Sequence, residues 1–289
     1  MAKEGSPFLF LRRKTFSGWA VAVLAVLLVS GPRSAVAETI RISGTGGAMG
    51  TMRILGEAFR KIHPGIRVVL FPGMDSNGSV KAVHAGRLDI GLCGRPLNGE
   101  ERARGVQEVK YARTPFVFGV NRTVKITGLT LEGVAEIYAG KRDWENGKRI
   151  RLVLRPREES DIPLLKSMSP AMNTAVDIAL RRKGMIVAMT DQDAADAIED
   201  IPGAIGGTTL SLILSEKRAV RIISLDGIMP SVRTMARRSY PYSKTFFMVT
   251  KKNPPASVRR FIDFVRSPAG AAILAKNGQE AVRQGGILP

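Results

Sequence analysis

Short apolar runs recur along the chain, separated by stretches in which apolar residues return every three or four positions. The runs are Thr39 to Ile42, Ile66 to Phe71, Asp89 to Leu92, Pro115 to Val120, Ile150 to Leu154, Val220 to Leu225 and Thr245 to Val249, each of strand length. Behind the first run, Met52, Leu55, Phe59 and Ile62 mark one face of an amphipathic helix. Alternating strands and helices predict an α/β fold with mainly parallel sheets, in which ligands sit outside the carboxyl ends of the strands.

Several of those ends carry suitable chemistry. Ser43-Gly44-Thr45-Gly46-Gly47 joins the first strand to the first helix, and Gly73-Met74-Asp75-Ser76-Asn77-Gly78-Ser79 does the same after the second. A helix start offers free backbone N–H groups and a positive dipole end, and glycine lets a small anion approach the main chain. Asp89-Ile90-Gly91-Leu92-Cys93-Gly94-Arg95-Pro96-Leu97 is a third strand, opened by a carboxylate. Arg155 and Arg157 close a later strand at the end of a basic stretch that begins at Lys141.

The first 37 residues read as a secretory signal peptide. Arg12, Arg13 and Lys14 precede the uncharged run Thr15 to Pro32, and Ala35-Val36-Ala37 is the small-residue pattern of a cleavage site. The apolar core from Trp19 to Val29 is shorter than the roughly 18 residues a membrane span needs, and no later run reaches that length. The formal net charge is +19 at pH 7 and stays strongly positive without the leader. Such a field suits phosphate-like ligands, lipid headgroups or nucleic acid without choosing among them.

Other features narrow the choice. Cys93 is the single cysteine, so no internal disulfide can form, and its place after a strand reads as a buried small hydrophobe. His63 and His84 are the only histidines, neither close in sequence to a nucleophile. Nothing has metal-ligand spacing, and the glycine loop lacks the Gly-Lys-Ser/Thr ending of a nucleotide-binding loop. Catalysis, a metal and a cofactor are therefore not expected, and 6% aromatic residues with no recognition helix argue against nucleic acid.

The ordered set of short pieces resembles the phosphate-binding proteins of bacterial phosphate ABC transporters, in the class II periplasmic solute-binding superfamily. It comprises Ser43-Gly44-Thr45, Phe59 through Pro64, Asp89-Ile90-Gly91 with Arg95-Pro96-Leu97, and Leu129-Thr130. Further on come Ile137-Tyr138-Ala139-Gly140-Lys141 with Trp144, Pro202-Gly203-Ala204-Ile205-Gly206, Asp226-Gly227-Ile228-Met229-Pro230 and Tyr240-Pro241-Tyr242. The resemblance implies a two-lobed α/β binding protein whose chain crosses twice between lobes. Lobe 1 would comprise residues 38–117 and 248–289 and lobe 2 residues 118–247, with hinges at the apolar runs Phe116 to Val120 and Phe246 to Val249. It further implies a monomer outside the cytoplasmic membrane, binding phosphate or a related small oxyanion and delivering it to an ABC permease.

Carried over residue by residue, the first anion loop falls on Gly44, Thr45 and Gly46 and the second on Ser76, Asn77 and Gly78. Asp89 would accept a hydrogen bond from the protonated oxygen of phosphate, a device that rejects sulfate. In the second lobe Arg157 and Ser160 match an arginine followed by Ser-Gly-Thr, but Asp161 and Ile162 replace the glycine and threonine. Asp161 would either cap a helix or bring a second negative charge to the ligand. The alternative function is a divergent sensor or adaptor of the same fold, not coupled to transport. Sequencing the amino terminus of protein recovered from its native cell should give Glu38 as the first residue, while a terminus upstream of Trp19 would make the segment an anchor.

Overall fold

The computed structural model of the protein describes residues 38–282, so the leader expected over residues 1–37 lies outside the described part. Its strands are β1 (Glu38–Gly44), β2 (Ile66–Leu70), β3 (Ile90–Cys93), β4 (Val106–Val120), β5 (Gly128–Leu129), β6 (Arg151–Leu154), β7 (Ile186–Val187), β8 (Ala204–Thr209), β9 (Arg221–Ile222), β10 (Ser224–Leu225), β11 (Ser243–Lys251) and β12 (Glu280–Ala281). The main sheet runs β2-β1-β3-β11-β4-β8-β6-β7. β1 lies parallel to β2 and β3, and β6 lies parallel to β7 and β8. The two long central strands run antiparallel to their neighbours, so the sheet is mixed where the apolar runs predict a mainly parallel one.

β4 divides the sheet into two halves. Its residues Val106 to Pro115 pair with β11, and Phe116 to Val120 pair with β8, so the strand changes partners between Pro115 and Phe116. β11 pairs within the first half from Ser243 onward, which puts Phe246 to Val249 inside that half. At the changeover the Phe116 N–H donates to the Tyr242 carbonyl at 3.0 Å and the buried Tyr240 hydroxyl donates to the Phe116 carbonyl at 2.7 Å. Both backbone passages are thereby held side by side.

Each half builds its own core. In the first, the helix Gly46–Ile62 lays Met52, Leu55 and Phe59 against Ile40, Ile42, Phe246, Met248 and Phe261. Their three- and four-residue spacing keeps them on one face, and burying each such side chain contributes roughly 1.5–3 kcal/mol. Ile62, the last residue of this helix, is exposed, and Pro64 follows where it prevents continuation. The second half packs Phe116, Phe118, Leu152 and Leu154 against the helices Leu131–Ala139 and Pro170–Arg181 through Val134, Ile137, Tyr138, Met172 and Val176. β8 escapes the hydrophobic pattern because it reads Ala-Ile-Gly-Gly-Thr-Thr, and the gap at Gly207 is filled by the Phe116 ring.

The β1 end is fixed by one glycine. Gly44 has φ +152°, its carbonyl accepts from Met74 N–H at 3.0 Å, and the next amide, Thr45 N–H, donates to Leu92 O at 2.9 Å. A Cβ at Gly44 would collide with the Leu92 backbone. Gly44→Ala should therefore cost about 2–4 kcal/mol from strain and displaced backbone, read as a lower denaturant midpoint with an unchanged slope.

Candidate functional site

Five ionisable side chains meet between the two halves. Arg155 follows β6, Glu159 lies four residues on, and Asp161 opens the helix Asp161–Ser167; Asp191 opens the helix Asp191–Asp200, and Lys244 projects from β11. Arg155, Asp161 and Lys244 are 6%, 2% and 4% exposed. Buried charges persist only when paired, and each has a partner. Lys244 Nζ donates to Asp161 Oδ1, while Arg155 Nη2 lies 2.9 Å from Glu159 Oε1 and 3.7 Å from Asp191 Oδ1. Arg155 Nη1 donates to the Ala188 carbonyl at 2.7 Å, and its buried Nε–H has no protein partner.

Asp191 reaches across to the first half. Its Oδ2 accepts from Thr45 Oγ1 at 3.0 Å and from the Gly47 N–H at 2.9 Å. That amide belongs to the first turn of the helix Gly46–Ile62, where an anion is favoured by the dipole and by free N–H groups. The neighbouring Gln192 donates to Gly46 O at 3.2 Å. Thr45 does not cap its helix through its own side chain, because that hydroxyl is turned to Asp191.

The charges set one another. Burial pushes the Asp191 carboxyl up, but Lys244, Arg155 and the bonds from Gly47 and Thr45 outweigh it and hold it below the usual carboxylate range. Burial pushes Lys244 down, and Asp161 with Asp191 raises it above its ordinary value. Glu159 is held above its ordinary value by burial, with Asp191 and Asp161 adding to the effect and Arg155 and Lys244 opposing it. With two cations against three carboxylates, burial and the neighbouring anions let Glu159 take up a proton more readily than a free glutamate, whereas Asp191 holds its charge.

The rim is built from small groups. Ser76, first in the helix Ser76–His84, accepts the Gly94 N–H at 3.0 Å. A Cβ at Gly94 would lie 2.5 Å from Lys244 Cε and 3.0 Å from Ser160 Oγ, so Ser160 and Lys244 converge on the end of β3. The site thus lies at the carboxyl ends of β1, β3 and β6, between two halves joined through β4 and β11.

Residues 30–269, most of the chain, match a family described as the PBP superfamily domain. The chain belongs to the PBP superfamily. Among curated relatives, the phosphate-binding protein PstS of Borreliella burgdorferi is 23% identical over 250 residues, covering 82% of this chain and 89% of that protein. PstS of Bacillus subtilis is 23% identical over 236 residues, covering 79% and 75%. Among solved structures, a Clostridium perfringens protein assigned as a phosphate ABC transporter substrate-binding protein, with phosphate bound, has a TM-score of 0.73 and 22% identity, covering 85% of this chain and 100% of that one. An ABC-type phosphate transport receptor from Vibrio cholerae has a TM-score of 0.59 at 20% identity, covering 83% and 99%. The likeness to these structures establishes a two-lobed α/β fold.

Within this PBP-superfamily chain the expected site residues divide. Gly44, Thr45 and Gly46 lie at the cleft, as do Ser76 and Ser160. Asn77 does not turn inward, for its side-chain oxygen accepts from Arg95 Nη2, and the Gly78 N–H is taken by the Asp75 carboxylate at 2.6 Å. Asp89 stands at the wrong end of its strand. The register Gly44↔Leu92 puts it three residues, about 10 Å, behind the strand ends, opposite Arg41. There it accepts from Arg41 N–H at 2.7 Å and from Arg41 Nε at 2.9 Å.

Arg157 is likewise displaced. Its side chain is 55% exposed and 3.7 Å from Asp177, while Arg155, two residues earlier, is the arginine of the cleft. Asp161 enters the site as a charge, already neutralised by Lys244. Arg155 follows the buried residues Leu152, Val153 and Leu154, a signal legible beforehand. Lys244 had one too, since it shares strand parity with the buried Phe246 and Met248. Glu159 and Asp191 had none.

Burial pushes the Asp89 carboxyl up, and the Arg41 side chain and amide more than reverse this, leaving it below its ordinary value. Its stabilising effect is present above the usual Asp range and lost as pH falls through the lowered folded value. Because Arg41 is partly exposed, Asp89→Asn should cost only about 1–2 kcal/mol at neutral pH, with the difference shrinking in acid denaturation curves.

Proposed function

We propose that the protein captures a small oxyanion, phosphate foremost, in the cleft between its two lobes outside the cytoplasmic membrane and delivers it to an ABC permease. Its support is Arg155, a buried guanidinium with an unpartnered Nε–H, set beside a helix start whose Thr45 hydroxyl and Gly47 N–H already hold a carboxylate oxygen. The phosphate-binding role of the Borreliella and Bacillus relatives and the phosphate bound by the Clostridium protein point the same way. The lobes divide at the partner change in β4 and at the start of β11, and closure about those two passages would clamp the solute. In this reading the protein is a monomer that binds rather than transforms its solute, in keeping with the substrate-binding role assigned to the Clostridium protein.

The three carboxylates shape how an anion is received. Ligand charge is best tolerated when Glu159 carries a proton, and the charges that face it are Arg155, Asp191, Lys244 and Asp161. Anion affinity is therefore highest below the raised folded value of Glu159 and declines as pH rises through it. Calorimetry on ligand-free protein, obtained by unfolding and refolding, should show phosphate binding, with sulfate, arsenate and molybdate as comparisons. Arg155→Ala should abolish it and Arg157→Ala should leave it within about twofold. Absence of binding to all four anions, or loss with Arg157→Ala alone, refutes the reading. Glu159→Gln should bind phosphate about tenfold more tightly at neutral pH, the advantage vanishing in acid; comparison with wild type at each pH cancels the titration of phosphate itself.

A further inference from the structure

The anion seat on the helix Gly46–Ile62 is filled by the chain itself. Asp191 presents one oxygen to Thr45 Oγ1 and Gly47 N–H in the first half, and its other oxygen faces Arg155 in the second half at 3.7 Å. A bridging solute would make this set of contacts: one oxygen on a helix start of one lobe, another toward an arginine of the other. We propose that Asp191 is a built-in ligand that holds the lobes closed without solute, and that an incoming oxyanion binds by displacing it. The inference rests on the oxyanion reading of the cleft.

Three further observations separate this from an ordinary surface ion pair. The carboxylate is largely buried and remains ionised, held by Lys244 and Arg155 against the cost of burial. The adjoining Gln192 repeats the bridge, donating to Gly46 O at 3.2 Å, so two consecutive residues at the start of the helix Asp191–Asp200 rest on the first half. Finally, a side chain at Gly46 would run into Asp191 Cβ at 2.7 Å, so the close approach depends on a glycine at that helix start. Closure by an internal carboxylate reduces the fraction of molecules open to solute, and apparent affinity falls by that fraction.

The test compares purified wild type, Asp191→Asn, Asp191→Ala and Glu159→Gln, each refolded free of ligand, by small-angle X-ray scattering and by titration with inorganic phosphate. Wild type should have the same radius of gyration with and without phosphate. Asp191→Ala should be larger without ligand and contract when phosphate is added, and Asp191→Asn should bind phosphate at least tenfold more tightly. Glu159→Gln removes the same charge from the same cleft but not from the helix start, so its ligand-free shape should remain that of wild type. The proposal is overturned if ligand-free wild type is already expanded, or if both Asp191 variants keep the wild-type shape and affinity. If none of the proteins binds phosphate yet Asp191→Ala still expands, the internal ligand stands and the oxyanion reading fails. Should Asp191→Ala not refold, Asp191→Asn, which keeps the acceptor oxygen, decides by its ligand-free shape and phosphate affinity, and no change in either rejects the proposal.

Discussion

The cleft depends on a requirement that buried charge be matched by buried charge. Arg155 and Lys244 lose their water when the two halves meet, and neither could remain there without the carboxylates of Glu159, Asp161 and Asp191. The pairing does more than offset desolvation. Lys244 on β11 is tied to Asp161 of the second half, and Asp191 of the second half is tied to the Gly46–Ile62 helix of the first. Charge neutralisation and lobe contact are one arrangement, which links electrostatics to conformation.

That arrangement is placed by two strands. β4 runs through both halves of the sheet and exchanges β11 for β8 between Pro115 and Phe116, and the Tyr240 hydroxyl ties the returning chain to it. The backbone passes from one half to the other where β4 changes partners. The polar cluster of Asp191, Arg155 and Thr45 lies at the carboxyl ends of β1, β3 and β6, between the halves that β4 joins. Gly44 and Gly94 let the strand ends approach closely enough for short side chains such as Ser76 and Ser160 to reach the same space.

A cleft with two cations and three carboxylates leaves little net attraction for a dianion, although the protein as a whole is strongly basic. The overall charge raises the local concentration of anions, whereas admission to the cleft is decided by protonation and by displacement of a side chain. Two quantities that are often treated as one, the field around a protein and the affinity of its site, are thereby set by different residues.

The chain by itself determined the alternation of strand and helix, the glycine-rich turns at the first two strand ends, and the apolar faces of the main helices, because these follow from local periodicity and backbone freedom. It carried Thr45, Gly46, Ser76 and Ser160 to the site for the same reason: each sits at a turn next to a helix start. Periodicity could not say where along a strand the cleft falls. Asp89, at the beginning of β3, therefore looked equivalent to a residue at its end until the register placed it opposite Arg41. The apolar run of β6 marked Arg155 and Arg157 alike as strand-end arginines, and only packing shows which of the two is enclosed. Asp191 lies 146 residues from Thr45, and in sequence it is simply an acidic first-turn residue after the capping Thr190. Only the folding of one half onto the other converted it from a helix-start carboxylate into a bridge, because pairing between buried charges is a property of proximity in space, which local sequence does not encode.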